Sequence, residues 1–455
     1  MTQDQDTICA LATPTGIGAI GMIRLSGSQS LTIISAVFSK SLENKASHTT
    51  HFGVIKTKEG KLIDEVLVTV FEEGKSFTGE QSAEISCHGS SFILQQILRT
   101  LIEEGARIAS PGEYTQRAFL NGKMDLSQAE AVADLIASKS KLSHSIALKQ
   151  LRGGFSSELK MLREKLINFA SLIELELDFA EEDVEFADRT QLKNMVEDTL
   201  NYVNRLSKSF ELGNAIKNGV PITILGRPNA GKSTLLNALI SDERAIVSEV
   251  AGTTRDTIEE ILNIEGIDFR FIDTAGLRET SNEIEKIGVE RARKSAEKST
   301  AYIYLFDANE LSIKEVKEDL KELPLNVIKI IIANKIDKID KAQLETLKSD
   351  GLDMALISAK NDNSLELLKS SILEKTMLNN LNEDETIVTN ARHYDALIKT
   401  GLSLEKANDG ISSGITSDFI AMDIRQAMYE LGIITGDIST DDLLGNIFSK
   451  FCIGK

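Results

Sequence analysis

The stretch "PITILGRPNAGKSTLLNALI", residues 221–240, joins a strand pattern, a glycine-rich loop and a helix pattern without interruption. The loop, residues 226–233, fits G-x-x-x-x-G-K-[ST], and the strand before it and the helix after it are the context in which this motif binds phosphates. Backbone N–H groups of such a loop and of the helix N-terminus face the phosphate oxygens. We predict that Lys232 reaches the β- and γ-phosphates of a nucleotide and that the Ser233 hydroxyl ligates Mg²⁺.

Two motifs further along the chain extend the phosphate side of this site. "DTAG", residues 273–276, follows a strand pattern, which would bring the Asp273 carboxylate near the Mg²⁺ and the Gly276 N–H near the γ-phosphate. "AGTTRD", residues 251–256, lies in a polar stretch that can close over the nucleotide. Thr254 in this stretch is the candidate for a second hydroxyl group on Mg²⁺.

Two later motifs are suited to recognising the base. "NKID", residues 334–337, ends in Asp337, whose carboxylate can accept hydrogen bonds from the ring N–H and the exocyclic amine of guanine. Adenine has an unprotonated nitrogen at that ring position, so the motif selects GTP over ATP. "SAK", residues 358–360, follows the last strand pattern and supports the guanine carbonyl through backbone N–H groups. Five motifs in this order, each at a strand end, resemble the G domain of the Ras-like GTPases.

One position departs from the Ras pattern. Leu277 follows "DTAG", where Ras-type proteins carry a glutamine that orients the attacking water. An apolar side chain cannot hold a water, so another group must do so. The candidates in residues 277–288 are Arg278, Glu279, Glu283 and Glu285, and the alternative is that these charges are only solvated.

The secondary-structure patterns divide the chain into three kinds of segment. Strand and helix patterns alternate over residues 218–377, which predicts a parallel sheet covered by helices. Residues 1–121 predict an α+β domain. Residues 122–217 and 378–455 are helical and predict a bundle, with a free-standing coiled coil as the alternative. The predicted fold is therefore multidomain, α/β and all-α, with a Ras-like P-loop G domain inserted into a helical domain and an α+β domain before both.

Composition limits the partners and the compartment. The chain has 455 residues and a formal charge of −18, which argues against a broad electrostatic surface for nucleic acid and leaves a local patch or a partner subunit. Its three cysteines, Cys9, Cys87 and Cys452, are too few and too far apart for a disulfide framework or a zinc site. The N-terminus lacks the pattern of a signal peptide, and the longest apolar runs are too short to span a bilayer. We expect a cytoplasmic protein with no membrane partner.

Three stretches outside the G domain resemble the MnmE (TrmE) family of bacterial and organellar tRNA-modification GTPases. They are "ATPTGIGAIGMIRLSG" (residues 12–27), "PGEYTQRAFLNGKMDLSQAEAVADLI" (residues 111–136) and the terminal "FCIGK" (residues 451–455). The resemblance covers essentially the whole chain. It implies a homodimer that works with the flavoprotein MnmG and installs a carboxymethylaminomethyl-type group at carbon 5 of the wobble uridine of certain tRNAs. It also implies a one-carbon donor, 5-formyl- or methylene-tetrahydrofolate, bound by the N-terminal domain, which dimerises.

The resemblance implies roles for individual residues in GTP hydrolysis. K⁺ would be held by Asn229 with help from Ser248, Val250 and Thr253, and a fixed monovalent cation can replace the charge of an arginine finger. Glu285 matches the glutamate that orients the hydrolytic water, and Lys232 is the catalytic lysine. The implied GTP-binding residues are Asn229, Ala230, Gly231, Lys232, Ser233, Thr234, Ser248, Thr253, Thr254, Asp273, Thr274, Ala275, Gly276, Asn334, Lys335, Asp337, Ser358, Ala359 and Lys360.

The resemblance also implies a folate site, formed by Arg24, Glu84, Lys123 and Lys455. A pterin ring presents the same N–H and amine edge as guanine, so a glutamate can recognise it, and basic groups suit the folate carboxylates. The terminal "CIGK" is a poor prenylation signal. We predict that the C-terminus folds back towards the folate, with Cys452 near the one-carbon chemistry either as a nucleophile or as part of the lining.

Two other functions stay open on the sequence alone. One is a ribosome-assembly or regulatory GTPase that binds RNA and switches without modifying it. The other is a scaffold whose GTPase controls the docking of partners. Switch-type GTPases of the first kind usually carry a basic RNA-binding module, which the charge of −18 disfavours.

Overall fold

The computed structural model describes residues 6–178, 189–244, 260–272, 293–376 and 386–454, with the backbone alone for residues 175–178, 189, 191, 240–244, 362 and 363. The chain divides into two compact units. The first consists of Met1–Ala137, Ala147–Val203 and Ala396–Lys455, and the second of Ser138–Ile146 and Asn204–Asp395. The chain therefore leaves the first unit twice, briefly over residues 138–146 and then over residues 204–395, and the second, long segment has the form of an inserted domain.

The first unit contains a six-stranded sheet. Its strands are β1 (Ile8–Leu11), β2 (Ile20–Ser26), β3 (Thr49–Lys56), β4 (Leu62–Phe71), β5 (Ser82–His88) and β6 (Arg107–Ile108). They lie in the order β3-β4-β5-β2-β1-β6, and every pair is antiparallel except β1 and β6. Alternate residues of β4, Val66, Val68 and Val70, are buried, as expected of a strand with one face in the core.

Helices cover the two faces of this sheet differently. The helices α1 (Ser30–Val37) and α2 (Ser91–Glu103) bury one face in a core that includes Ile23, Ile34 and Ile97. On α3 (Glu113–Leu120), Tyr114 packs with Ile8, Ala10 and Ala109. Its hydroxyl donates a hydrogen bond of 2.7 Å to the Arg24 carbonyl and so ties α3 to β2.

The helices that the structure describes in the all-α part are α4 (Leu126–Ala137), α5 (Lys141–Leu151), α6 (Gly154–Asp178), α7 (Arg189–Asn218), α12 (Ala391–Ser412), α13 (Ser417–Thr435) and α14 (Asp441–Phe448). In the first unit, α6 packs along α13 through apolar residues at helical spacing, such as Leu166 and Phe169 on α6 and Ile424 and Leu431 on α13. Within the first unit, α4, α6 and α13 pack against one another, as in a helical bundle rather than a free-standing coiled coil.

The second unit contains the other six-stranded sheet. Its strands are β7 (Val220–Leu225), β8 (Glu260–Ile264), β9 (Ile267–Ile272), β10 (Ala301–Asp307), β11 (Ile328–Asn334) and β12 (Met354–Leu356). Helices among its described residues include α8 (Lys232–Arg244), α9 (Ile313–Lys321), α10 (Lys341–Ser349) and α11 (Asp362–Lys375), with a 3₁₀ turn at Ile336–Lys338. On β10, Ile303 and Leu305 face one core and Tyr304 and Phe306 face the other, so both faces of the sheet are buried.

The strand order is β12-β11-β10-β7-β9-β8, and all neighbouring strands are parallel except β8 and β9. The predicted parallel sheet with helices on both faces is confirmed, but the antiparallel edge strand β8 was missing from the prediction. A two-residue turn joins β8 to β9 and makes the two strands antiparallel. Glu265 and Gly266 both have positive φ, 50° and 85°, as a type I′ hairpin requires.

The described helices include none that is long and apolar enough to cross a membrane.

The first two helices of the all-α part also differ from the sequence pattern. The apolar spacing before Gly153 suggests a single helix, but α4 ends at Ala137 and α5 begins at Lys141. Ser140 caps the second helix, because its Oγ accepts a hydrogen bond of 3.2 Å from the backbone N–H of Ser143.

A network of five charged side chains fastens the N-terminal segment to α3. The Arg117 guanidinium contacts the carboxylates of Asp6 at 2.6 Å, Glu113 at 2.9 Å and Glu80 at 3.1 Å, and Arg107 contacts Asp6 at 2.6 Å and Glu113 at 2.7 Å. Burial raises the pKa of Glu113, but hydrogen bonds from Arg107, the Ser110 backbone and Arg117 outweigh burial and leave this pKa below its ordinary value. The charged form of Glu113 is therefore part of the folded state.

We expect Glu113→Gln to reduce the local stability of α3 by about 2 kcal/mol at pH 7, the scale of hydrogen bonds to a charged group. A lowered carboxyl pKa contributes stability above the unfolded value of about 4.3, and that contribution is lost as the pH falls through the folded pKa. The difference between the variant and the wild type should therefore shrink in acid. Amide hydrogen exchange of α3 at pH 7 and at lower pH measures it. Glu103→Gln, which removes an exposed partner of Arg99, is the control. An effect that does not change with pH would contradict the prediction.

Candidate functional site

The loop between β7 and α8 has the backbone conformation of a phosphate-binding loop. Gly226 has φ +147°, and a Cβ atom there would lie 2.0 Å from the Leu305 carbonyl oxygen. Gly231 has φ +99°, and its Cβ would lie 2.4 Å from the Asn334 side-chain nitrogen. Between them Asn229 adopts the left-handed conformation at φ 62°. Both glycines are therefore required by close approach as well as by φ.

Lys232 and Ser233 open helix α8 at the end of this loop. The Lys232 ammonium donates hydrogen bonds to the carbonyl oxygens of Gly226, at 2.7 Å, and Arg227, at 3.0 Å. Burial lowers the pKa of Lys232. An anion at the helix N-terminus would give this cation a partner, which is the arrangement that phosphate binding uses.

The side-chain amide of Asn334 joins the phosphate loop to the "SAK" loop. It is buried at the end of β11, where its Nδ2 donates to the Ala230 carbonyl at 2.9 Å and its Oδ1 accepts from the Ala359 N–H at 3.1 Å. One side chain of the "NKID" motif thus fixes two loops that are far apart in sequence.

Lys335 supports the same loop from its other side. It has φ 62°, and its ammonium donates to the Asn229 carbonyl at 2.7 Å and to the Asp307 carboxylate at 2.6 Å. Asp307 is a buried acid at the end of β10 that sequence reasoning missed. The signal was present, since a carboxylate at the carboxyl end of a parallel strand faces the binding edge of the sheet.

The Asp337 side chain is exposed at the edge of the site. Its Oδ1 accepts a hydrogen bond of 2.7 Å from the Ser358 hydroxyl, which lowers the pKa of Asp337. An ionised, oriented carboxylate is the acceptor that the N–H and amine edge of guanine needs. Ala359 is buried beside it, whereas Lys360 in the same loop and Thr234 in the first turn of α8 are exposed.

Arg227 is a second residue that sequence reasoning missed. Its guanidinium makes two hydrogen bonds to Asp319 on α9, of 2.8 Å and 2.9 Å, and the Tyr304 hydroxyl donates to the same carboxylate. Glu315 on α9 lies 3.5 Å from the guanidinium. These contacts fix the second residue of the phosphate loop to a helix, and nothing in the spacing of the motif indicated a partner so distant in sequence.

Several predicted residues lie outside the described part of the chain. They are Ser248, Val250, Thr253, Thr254, Asp273, Thr274, Ala275, Gly276, Glu285 and Lys455. The roles predicted for them, as ligands of Mg²⁺ and K⁺, as GTP contacts, in water orientation and in folate binding, stay predictions.

A second cluster of candidate site residues, the predicted folate residues, lies on the sheet of the first unit. Arg24 and Glu84 are directly opposite each other on β2 and β5, and Glu84 Oε1 accepts from Arg24 Nε at 2.9 Å and lies 2.7 Å from its Nη2. The guanidinium carbon lies 5.8 Å from the centre of the Tyr114 ring and 5.9 Å from that of Phe77. Arg24 is thus committed to orienting the Glu84 carboxylate.

Lys123 and the C-terminal segment meet the same sheet region by different contacts. The Lys123 ammonium donates to the Gly74 carbonyl at 2.9 Å. Cys452 is exposed, and its carbonyl accepts from the Gly112 N–H at 3.3 Å. Gly454, at φ +91°, approaches so closely that a Cβ would lie 2.2 Å from the Leu11 carbonyl oxygen. The chain end therefore packs against the end of β1, close in sequence to residues 12–27.

Comparison with known proteins assigns the family. The profile described as "MnmE helical domain" matches residues 126–452, and "GTP-binding protein TrmE N-terminus" matches residues 7–123. The tRNA modification GTPase MnmE of Cytophaga hutchinsonii is 55% identical over 100% of this chain and 99% of its own. The chain belongs to the MnmE family of tRNA modification GTPases.

Other members of the MnmE family match at nearly full length. That of Flavobacterium psychrophilum is 52% identical over 99% of both chains, and that of Bacteroides thetaiotaomicron is 48% identical over 99% of this chain and 100% of its own. Among solved structures, the FeoB G domain of Methanococcus jannaschii is 26% identical over 35% of this chain and 98% of that chain, with a TM-score of 0.24. As an MnmE-family enzyme, the chain is a GTPase of tRNA modification, which disfavours a switch or scaffold without chemistry.

We expect Arg227→Gln to weaken GDP binding by about five- to tenfold, because a bidentate charged pair anchors the phosphate loop. Asp319→Asn should have a similar effect, and the double variant should lose little more than either single variant. Dissociation of a fluorescent GDP analogue measures the loss. Lys317→Gln is the matched control, because Lys317 lies on the same helix α9 as Asp319 and its ion pair is with Asp350, which follows α10. Additive effects of the two single changes would show that the pair does not act as a unit.

Proposed function

We propose that this enzyme hydrolyses GTP in a K⁺-dependent reaction and, with a flavoprotein of the MnmG type, installs a carboxymethylaminomethyl-type group at carbon 5 of the wobble uridine of certain tRNAs. The one-carbon unit comes from 5-formyl- or methylene-tetrahydrofolate. The proposal rests on one observation: a single chain of this family holds two oriented carboxylates. One is Asp337, which suits the polar edge of guanine, and the other is Glu84. We assign residues 1–121, 122–217, 218–377 and 378–455 to the folate-binding, first helical, G and second helical domains.

In the GTP half of the proposal, the chain binds both ends of the nucleotide. Asp337 accepts the hydrogen bonds of the guanine edge, and Lys232 with the loop N–H groups binds the phosphates. Mg²⁺ would be held by Ser233 and Thr254, with the Asp273 carboxylate nearby, and K⁺ by Asn229, Ser248, Val250 and Thr253. When bound, the two cations neutralise charge on the phosphates. Glu285 orients the hydrolytic water, which Leu277 cannot do.

The contacts of Asn229 support its role as a cation ligand. Its backbone is held at φ 62° and its carbonyl oxygen is fixed by Lys335. The side-chain amide is therefore carried on a backbone that needs no rearrangement on binding. An amide oxygen is a neutral, hard donor, which suits a weakly charged cation such as K⁺.

In the folate half, Glu84 recognises the pterin edge and Arg24 keeps its carboxylate oriented. Lys123 and Lys455 provide positive charge for the folate carboxylates. The approach of Gly454 to Leu11 supports a C-terminus that returns to this region, where Cys452 would act as a nucleophile or line the site. The folate itself supplies the one-carbon unit.

We also propose that the chain forms a homodimer through its sheet in the first unit. Phe52 on β3 and Leu67 on β4 lie opposite each other and are 56% and 46% exposed. Paired apolar side chains on an open sheet face mark an interaction surface, and a second copy can cover them with the same residues. The tRNA is bound by a local patch or by the partner flavoprotein, because the chain is acidic, and the complex acts in the cytoplasm.

We expect GTP turnover to be far faster in KCl than in NaCl at matched ionic strength. Asn229→Ala should lower the rate in KCl by about a hundredfold, the scale of losing one electrostatic stabiliser of the transition state, and should change the rate in NaCl little. Steady-state phosphate release measures both. Asn218→Ala, on the exposed end of α7, is the control. Equal rates of the wild type in the two salts would contradict the K⁺ role.

We expect Glu84→Gln to weaken binding of 5-formyl-tetrahydrofolate by about tenfold or more, because a charged acceptor is replaced by a neutral amide. Isothermal titration calorimetry measures the affinity. Glu65→Gln, an exposed acid on the neighbouring strand β4, should bind as the wild type does. If the wild type binds no folate, the one-carbon half of the proposal is wrong, and the GTP half stands independently.

A further inference from the structure

The loop between β4 and β5, residues 72–81, connects the described residues of the proposed folate site. Its Gly74 carbonyl accepts from Lys123 at 2.9 Å, and Gly79 lies so close that its Cβ would be 3.3 Å from the Lys123 side chain. The ring of its Phe77 lies against Arg24, which in turn holds Glu84. The loop therefore contacts Lys123 and Arg24 directly and is linked to Glu84 through Arg24.

Phe77 is exposed in this loop although both of its neighbours are buried. Ser76 is 6% exposed and Thr78 is 1% exposed, whereas Phe77 is 40% exposed. The Thr78 hydroxyl forms a hydrogen bond of 2.7 Å with Ser26, and its carbonyl accepts from the Asn121 amide at 2.8 Å. These contacts fix the backbone on the C-terminal side of Phe77.

The N-terminal side of Phe77 is fixed as well. The Ser76 hydroxyl donates to the Glu80 carbonyl at 2.6 Å, and the Gly74 N–H donates to the Gly79 carbonyl at 2.7 Å. Hydrogen bonds within the loop thus close it on both sides of Phe77. A ring on so constrained a backbone loses little conformational entropy when a ligand stacks on it.

We propose that Phe77 is a ligand-binding residue that stacks on the flat heteroaromatic ring whose polar edge Glu84 recognises. This inference rests on the proposed folate function and adds an aromatic contact to it. A planar conjugated ring binds best where its edge meets a carboxylate and its face meets an aromatic side chain. Glu84 and Phe77 are joined through Arg24, whose guanidinium lies within about 6 Å of the ring centre, the range of a cation–π contact.

The experiment uses the full-length chain and 5-formyl-tetrahydrofolate. We expect Phe77→Leu to weaken binding by about tenfold in calorimetry, the scale of one aromatic contact, and Phe77→Tyr to bind as the wild type does. Leucine keeps an apolar side chain of somewhat smaller volume and removes the aromatic face. Thermal unfolding of each variant checks that the fold is intact.

A fluorescence measurement gives an independent readout of contact. The chain contains no tryptophan, so Phe77→Trp introduces a single reporter at the site. Its emission should be quenched on folate binding, because stacking places the ligand on the indole. Phe92→Trp is the matched control, since Phe92 is exposed on α2, on the helix-covered face of the sheet, and its emission should change little.

The outcomes separate this inference from the folate proposal. Folate binding that is lost or weakened in Phe77→Leu, with quenching in Phe77→Trp and not in Phe92→Trp, supports the stacking role. Normal affinity of Phe77→Leu and equal signals from both tryptophan variants overturn it, while leaving folate binding intact. A wild type that binds no folate overturns the folate proposal and the stacking role with it.

Discussion

The buried amide of Asn334 is the contact on which the GTP site depends. It donates to Ala230 in the phosphate loop and accepts from Ala359 in the loop that follows β12. In the proposed GTP site the first of these loops binds the phosphates and the second the base, so this amide would set the distance between the two ends of the nucleotide. A buried amide with both of its groups satisfied is costly to move, because any shift leaves a polar group unpaired.

Two carboxylates outside the nucleotide motifs also hold the phosphate loop in place. Asp307 holds Lys335 against the Asn229 carbonyl, and Asp319 holds Arg227. The loop must accept a highly charged ligand without refolding, and these two anchors leave its backbone few alternatives. The glycine at 231 follows from the same constraint, because the Asn334 amide occupies the space that a side chain would need.

The sequence was sufficient for the parallel strands and the helices between them in the G domain, and for the motifs "NKID" and "SAK", whose residues the structure brings into contact. Each of these follows from a local motif, and the motif lies where a strand ends. The β8–β9 hairpin was missed because its turn depends on positive φ at Glu265, a residue not typical of such turns. Arg227, Asp307 and Phe77 were missed for another reason. Their partners lie far away in sequence, and only the fold brings them together.

The two proposed ligand sites solve the same physical problem in related ways. In each, an oriented carboxylate is fixed by a neighbouring donor: Ser358 for Asp337 and Arg24 for Glu84. The donors differ in charge, and this difference has a consequence. A neutral hydroxyl leaves the full negative charge of Asp337 to the ligand, whereas Arg24 neutralises much of the charge of Glu84. The second carboxylate can therefore contribute less to affinity by charge alone, and a flat ligand there needs more from its face, which is the contribution that an aromatic ring such as Phe77 can make.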